Sequence, residues 1–250
     1  MAQPVFSQPL VERHETRAMV LMYHSIDLGL TDRSVWPWHL EAQIRRMRKE
    51  RTEIIPMSRF MDFLEGKIRL PRHVAVITID DGERLFFKHG YPIFLQHRVP
   101  FTLGIITDAV ERSDRSGSLS WDELREMMAT GLCEIANHSH LHLGMRKMKS
   151  RELDREILHS RDLIAKHLGV GPLVFFYPLG SFNPLAIKHL KKAGYRGAFT
   201  VVGNTVTAGV ARYAIPRYQV NHRTAVQALT IWLNYNRWPA ASPAPSAGGQ

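Results

Sequence analysis

One cysteine, Cys133, stands in the 250 residues. That scarcity excludes an internal disulfide framework and any cysteine-based zinc finger within a single chain. Any metal must therefore rest on His and carboxylate ligands. No run of about 18 consecutive apolar residues occurs, so no membrane-spanning helix is expected. A continuous apolar segment is also missing from the first 16 residues, which carry Gln, Pro, Glu and Arg where a secretory signal would need one. The default location is cytoplasmic, although a chain trimmed of an export signal would read the same and would belong to the exterior or periplasm. Repeats of 20 to 50 residues are absent, and so is any zinc-finger or homeodomain pattern.

What is present is an ordinary soluble composition, 44% hydrophobic and 22% charged, which excludes disordered, collagen-like and coiled-coil classes. The 33 Lys and Arg against 23 Asp and Glu leave a net charge of +10, a bias toward anionic surfaces. These cations are scattered over predicted helices, as at 45–49 and 188–192, and read as solvated faces, so no nucleic-acid partner is expected. The length fits one large α/β domain, placed at 18–238 between a polar tail at 1–17 and a disordered Pro/Ala/Gly/Ser-rich tail at 239–250.

Inside the domain, short apolar runs alternate with amphipathic stretches. Strands are predicted at 18–23, 53–56, 74–79, 101–106, 132–136, 174–177, 197–202 and 213–220. Helical spacing links Leu40, Ile44 and Met47, and also Leu153, Ile157, Ile164 and Leu168. Ser150 is placed to cap the second helix and Gly169 to close it in a left-handed turn. Seven or eight β/α units point to a complete or incomplete (β/α) barrel, with a doubly wound open sheet as competitor.

Two segments carry chemistry. Ile77-Thr78-Ile79-Asp80-Asp81-Gly82 puts adjacent carboxylates at the end of an apolar strand. Neighbouring strand residues face opposite sides, but Gly82 permits a sharp turn that brings both toward one cavity. One acid can bind a cation while the other serves as a base. Asn137-His138-Ser139-His140-Leu141-His142 follows another strand, and the four-residue spacing of His138 and His142 sets two imidazoles on one side of a helical turn. In an extended segment His140 would join them as a third. Two imidazoles and one carboxylate leave metal positions open for water and substrate. Zn²⁺ suits hydrolysis and non-haem Fe²⁺ suits oxygenation, and the spare carboxylate favours hydrolysis.

These two segments, together with Phe176-Tyr177-Pro178-Leu179-Gly180-Ser181-Phe182-Asn183, resemble the polysaccharide deacetylases, the NodB homology domain of carbohydrate esterase family 4. The resemblance spans roughly residues 18 to 220. Val20-Leu21-Met22-Tyr23-His24-Ser25, Leu70-Pro71 and Leu119-Ser120-Trp121-Asp122-Glu123-Leu124 are similar to the poly-N-acetylglucosamine deacetylase branch. The family implies a distorted (β/α)7-type barrel in a single domain, with Asp81, His138 and His142 as metal ligands and Asp80 as catalytic base. It implies His24 as general acid, with His222 as the alternative. The stretch Tyr177, Pro178, Leu179 and Gly180 would meet substrate, the Leu179 amide donating to an oxyanion.

The metal implied is Zn²⁺, with Co²⁺, Mn²⁺ or Ni²⁺ on the same ligands. The activity implied is removal of N-acetyl groups from N-acetylglucosamine-type units of a polysaccharide or oligosaccharide, with release of acetate. An O-acetyl esterase and a non-catalytic carbohydrate-binding relative are the alternatives, and oligomeric state stays open. Four departures stand out: Ile79 where the family has Phe, Glu83-Arg84 where an aromatic is frequent, Leu179 where Tyr is common, and no Arg-rich third motif to steady the base.

Overall fold

The computed structural model describes residues 15–223. Most of the tail expected at 1–17, all of that at 239–250 and the end of the expected domain lie outside these residues. In chain order the strands are β1 (Arg17–Tyr23), β2 (Ser25–Ile26), β3 (Ser34–Val35), β4 (Glu53–Ile54), β5 (His73–Ile79), β6 (Phe101–Ile105), β7 (Cys133–Asn137), β8 (Val174–Phe176), β9 (Gly197–Phe199) and β10 (Tyr218–Gln219). Eight of them form one all-parallel sheet in the order β10-β1-β5-β6-β7-β8-β9, with β4 on the side of β5, while β2 and β3 pair separately. From β1 to β9 the order runs one way only, so the switch point of a doubly wound sheet does not occur. A parallel bridge between Phe199 and Ile215 leads from β9 into the segment that ends in β10, beside β1, and curls the sheet back on itself.

The strands are apolar on both faces, as parallel strands covered on both sides must be. Alternate residues serve different cores. Val20, Val74, Val76, Ala136, Phe176, Phe199 and Ile215 face the barrel interior, which helix Met57–Leu64 plugs at one end with Met57, Phe60, Met61, Phe63 and Leu64. Each of these buried side chains contributes roughly 1.5–3 kcal/mol, which holds an eight-residue helix that would not survive alone. Met19, Leu21, Ala75, Ile77, Leu103 and Ile135 face outward against helices such as Pro37–Lys49, through Leu40, Ile44 and Met47.

Two local expectations are corrected and a third holds. The strand expected at 213–220 is reduced to the Ile215 bridge and β10, because Pro216 offers no amide to a ladder. Ser150 is the first helical residue rather than the cap, and its Oγ meets His189 Nε2 at 3.0 Å. Glu152 does the capping, accepting from the Lys149 amide at 2.8 Å. Gly169 does close that helix, with φ 72°. Among the described residues no helix is long and apolar enough to cross a membrane.

Candidate active site

The inward set of strand residues ends at one mouth. Counting by twos from Val74 and Val76 reaches Thr78 and Asp80; from Ala136 it reaches His138, from Ile215 Arg217, and from Val20 His24. Asp80 and His138 are pinned by ladder-type bonds, from the Asp80 amide to the Tyr23 carbonyl (2.8 Å) and from the His138 amide to the Ile105 carbonyl (2.9 Å). Gly104 clears the space between them: a Cβ there would stand 2.5 Å from the Phe176 ring and 3.5 Å from an Asp80 oxygen.

Alternation alone would point Asp81 outward. The chain instead turns at Asp81 itself (φ 72°) and continues through Gly82 (φ 69°), bringing both carboxylates into the mouth. Asp81 Oδ1 lies 3.4 Å from His138 Nε2 and 3.6 Å from His142 Nε2, and the two nitrogens are 3.2 Å apart. The expected helical turn over 138–142 is an open loop. Ser139 (φ 72°) and His142 (φ 57°) are left-handed, and Ser139 Oγ accepts from the His142 amide at 3.0 Å.

The turn carries His140 away to Thr107 Oγ1 (2.9 Å) and the edge of His159, so a three-His cluster does not form. The buried Asn137 amide group bonds Ser160 Oγ and Tyr195 Oη, each at 2.6 Å, and its Oδ1 accepts from the Ser139 amide. Glu156, fully buried in a π-helical turn at Asp154–His159, accepts through Oε2 from the amides of His140 (3.1 Å) and Leu141 (2.8 Å). Such turns recur at functional sites.

The three side chains fit a cation. His138 Nδ1 donates to the Phe176 carbonyl at 2.8 Å, which fixes the tautomer and leaves a lone pair on Nε2. Burial lowers the pKa of His138, and burial and then the His138 charge lower that of His142 to about 4, so both rings are neutral near pH 7. Among the described residues Asp81 Oδ1 accepts no hydrogen bond, and Oδ2 meets only the Arg33 guanidinium. Two lone pairs and a carboxylate converging at these distances are the donor set of a three-ligand divalent site.

Asp80 is held by a residue that sequence reasoning missed. Arg217, with no exposed surface, donates to both Asp80 oxygens at 2.7 Å, to Thr78 Oγ1 (3.2 Å) and to the Thr200 carbonyl (3.0 Å), and lies 4.3 Å over the Phe176 ring. Burial alone would raise the Asp80 pKa, but the Arg217 charge and then His138 outweigh it and bring it to about 2. The Arg absent from the third motif is thus replaced from the far end of the sheet. A lone Arg inside a predicted apolar strand was the available signal.

His24 lies close enough to Asp80 and His138 for their charges to act on it; burial lowers its pKa to about 4, against the pull of Asp80. Its Nδ1 is buried and has no hydrogen-bond partner among the described residues. His222, by contrast, bonds the Thr31 carbonyl through Nδ1 (2.9 Å) and stacks on Trp36. The Tyr177 ring falls on the outward parity, buried among Phe175, Phe182 and Tyr195. Its hydroxyl donates to the Tyr213 carbonyl at 3.1 Å, so only its backbone reaches the mouth. Pro178, Leu179 (φ 56°) and Gly180 (φ 63°) form a 3₁₀ turn with the Leu179 side chain 71% exposed. The first amides of such a turn have no partner within it.

The sequence profile of the polysaccharide deacetylase family matches residues 67–198, more than half of the chain, and takes in Asp80, Asp81, His138, His142 and the Leu179 turn; the chain belongs to that family. It is 25% identical over 226 residues to the poly-β-1,6-N-acetyl-D-glucosamine N-deacetylase of Staphylococcus aureus (strain MSSA476), covering 86% of this chain and 78% of that protein. The corresponding Staphylococcus epidermidis enzyme is 26% identical over 213 residues, covering 81% and 73%. Among solved structures, the fold is similar to the deacetylase PplD of Streptococcus pyogenes in complex with acetate (TM-score 0.80, 19% identity, 87% of this chain and 98% of that one). It is equally similar to IcaB from Ammonifex degensii (TM-score 0.80, 23% identity, 87% and 97%). These neighbours match the curled, parallel barrel described above.

Proposed function

We propose that this chain is a metal-dependent hydrolase that removes N-acetyl groups from N-acetylglucosamine-type units of a polysaccharide or oligosaccharide, releasing acetate. The observation that carries the reading is the convergence of Asp81, His138 and His142 beside an ionised, tethered Asp80. Membership of the deacetylase family and the glycan named for the staphylococcal relatives support the substrate class. A divalent cation on those three ligands, Zn²⁺ first and Co²⁺, Mn²⁺ or Ni²⁺ on the same donors, would supply Lewis acidity toward the acetyl carbonyl and lower the pKa of a water from 15.7 toward about 7.

The chain's own groups do the rest. Asp80, ionised across the physiological range and fixed at both oxygens by Arg217, takes the proton of the attacking water. The Leu179 amide, presented by the turn of Tyr177, Pro178 and Gly180, donates to the carbonyl oxygen as negative charge develops there. His24, neutral in the free site near pH 7, takes up a proton in the substrate complex and hands it to the departing nitrogen. Its unpartnered Nδ1 favours it over His222, whose Nδ1 is already engaged.

The test is acetate release from β-1,6-linked N-acetylglucosamine oligomers, with and without chelator. Asp80→Asn should keep the metal and lose about 10²–10⁴-fold in turnover, the usual size of a general-base contribution. Asp81→Ala or His138→Ala should lose metal occupancy first. Full activity in Asp80→Asn would remove Asp80 from the role. Acetate from acetylated xylan but none from the oligomers would move the assignment to ester hydrolysis.

A further inference from the structure

The turns that carry Asp81 and Leu179 offer Glu83, Arg84 and an exposed leucine to solvent, and the aromatic surface of the mouth lies on another loop. Trp36 directly precedes helix Pro37–Lys49, and Trp38 sits in its first turn. Three contacts lock Trp36: its Nε1 donates to the Gly29 carbonyl at 3.0 Å, His39 stacks on it at 5.0 Å, and His222 stacks at 6.3 Å, both near 26°. Trp38 packs on Trp36 at 5.1 Å and keeps 53% of its surface exposed. Leaving such a ring in water costs about 25 cal/mol per Å² of apolar surface. The helix physics favours an acidic residue in this first turn, and it has none.

The same loop reaches the metal ligands. Arg33, three residues before Trp36, pairs with Asp81. Three extended residues span about 10 Å at most, so Trp36 lies within that distance of the Arg33 backbone, on the stretch of chain that leaves β1 on the side of the mouth. His222 braces the loop from β10, its amide donating to the Ser34 carbonyl at 2.7 Å and its Nδ1 meeting the Thr31 carbonyl. A rigid, half-exposed aromatic face fits the apolar C–H face of a pyranose whose hydroxyls stay in water, because an aromatic ring supplies contact area at little entropic cost. Its offset from Asp81 places that pyranose on a flanking unit, away from the reacting one.

We propose that Trp38, backed by Trp36, is a stacking subsite for a flanking sugar unit of the glycan being deacetylated, so that chain length is read at this rim. The inference rests on the glycan reading above. The probes are β-1,6-linked N-acetylglucosamine dimer and pentamer. In the unsubstituted protein, KM for the pentamer should lie below that for the dimer. Trp38→Ala should raise the pentamer KM roughly threefold to tenfold, the worth of one aromatic contact, and bring the ratio toward one, with kcat changed less. Trp38→Phe should restore most of the difference.

A calorimetric titration of chelated protein with pentamer separates the two readings. If the unsubstituted protein cleaves neither oligomer but binds pentamer through Trp38, the subsite stands and the hydrolytic reading falls. An unchanged dimer-to-pentamer ratio together with unchanged pentamer binding in Trp38→Ala overturns the subsite. A shift of oligomeric state in that variant, with glycan binding intact, overturns it too and assigns the patch to a second copy.

Discussion

Replacing Arg217 by Met removes the buried partner of a buried carboxylate and should be the most disruptive single change near the site. The side chain has no exposed surface, Asp80 keeps 2%, and the pair shares two bonds of 2.7 Å. Met fills a similar volume and leaves the Asp80 charge uncompensated, a loss of about 3–5 kcal/mol. For a domain of this size that lowers Tm by roughly 6–20 °C. The pH dependence gives a sharper test.

Asp80 is held at about 2 against an ordinary 3.8, so its ionisation contributes about 2 kcal/mol of stability. That contribution is present in full above about pH 4 and is lost as pH falls through 2. Without Arg217 burial dominates and the Asp80 pKa rises above its unfolded value. Acidification then stabilises the variant relative to the unsubstituted protein. Urea unfolding between pH 3 and 7 measures this, since the difference between the two proteins cancels every other group. Asp80→Asn with Arg217→Met should recover much of the loss, because no buried charge remains. A difference independent of pH, with Tm moved by less than about 2 °C, would refute the account of the tether.

Glu156→Ala should weaken metal binding by about 10–100-fold in competition with a chromophoric chelator, because the His140 and Leu141 amides lose their acceptor; Glu156→Gln, which keeps an acceptor oxygen, should stay within a few-fold. Because burial holds His142 at about 4, its ring is neutral and able to ligate above that value and protonated below it. Metal content after dialysis should therefore hold from pH 8 to about 5 and fall as pH passes through about 4, and release already at pH 6.5 would contradict the assignment. His24→Ala should cost about 10²–10⁴-fold in kcat, while His222→Ala, which removes a ring from behind Trp36, should act mainly on KM; the reverse pattern would move the acid to His222.

The parts of this site that parity can reach were legible in the sequence. A run apolar on both faces reads as a covered parallel strand, and counting by twos along it places Asp80, His138 and His24 at the end of the inward row. The same count sends the Tyr177 ring outward, into the core behind the sheet. Arg217 was harder to find, because its partner lies 137 residues earlier and only the curl of the sheet joins them. Glu156 was hidden for another reason: Leu153, Ile157 and Ile164 fit an ordinary helical period, and the π-helical turn that aims the carboxylate at the His loop leaves no mark on it.

Parity also explains where the backbone departs from common conformations. A strand end delivers one inward side chain, but the cluster of Asp81, His138 and His142 draws a second group from the same strand end or loop, at Asp81 beside Asp80 and at His142 beyond His138. The chain must therefore break alternation just past each strand. Of the six non-glycine residues with positive φ among those described, four lie here: Asp81, Ser139, His142 and Leu179. Each left-handed residue costs roughly 1–2 kcal/mol, so the conformation persists only where other contacts over-determine it. Around the His loop those contacts are Ser139 Oγ on the His142 amide, Asn137 Oδ1 on the Ser139 amide, and Glu156 on the next two. Removing any one should spread the imidazoles before it unfolds the barrel, which makes metal affinity a more sensitive readout than Tm for every residue behind this loop.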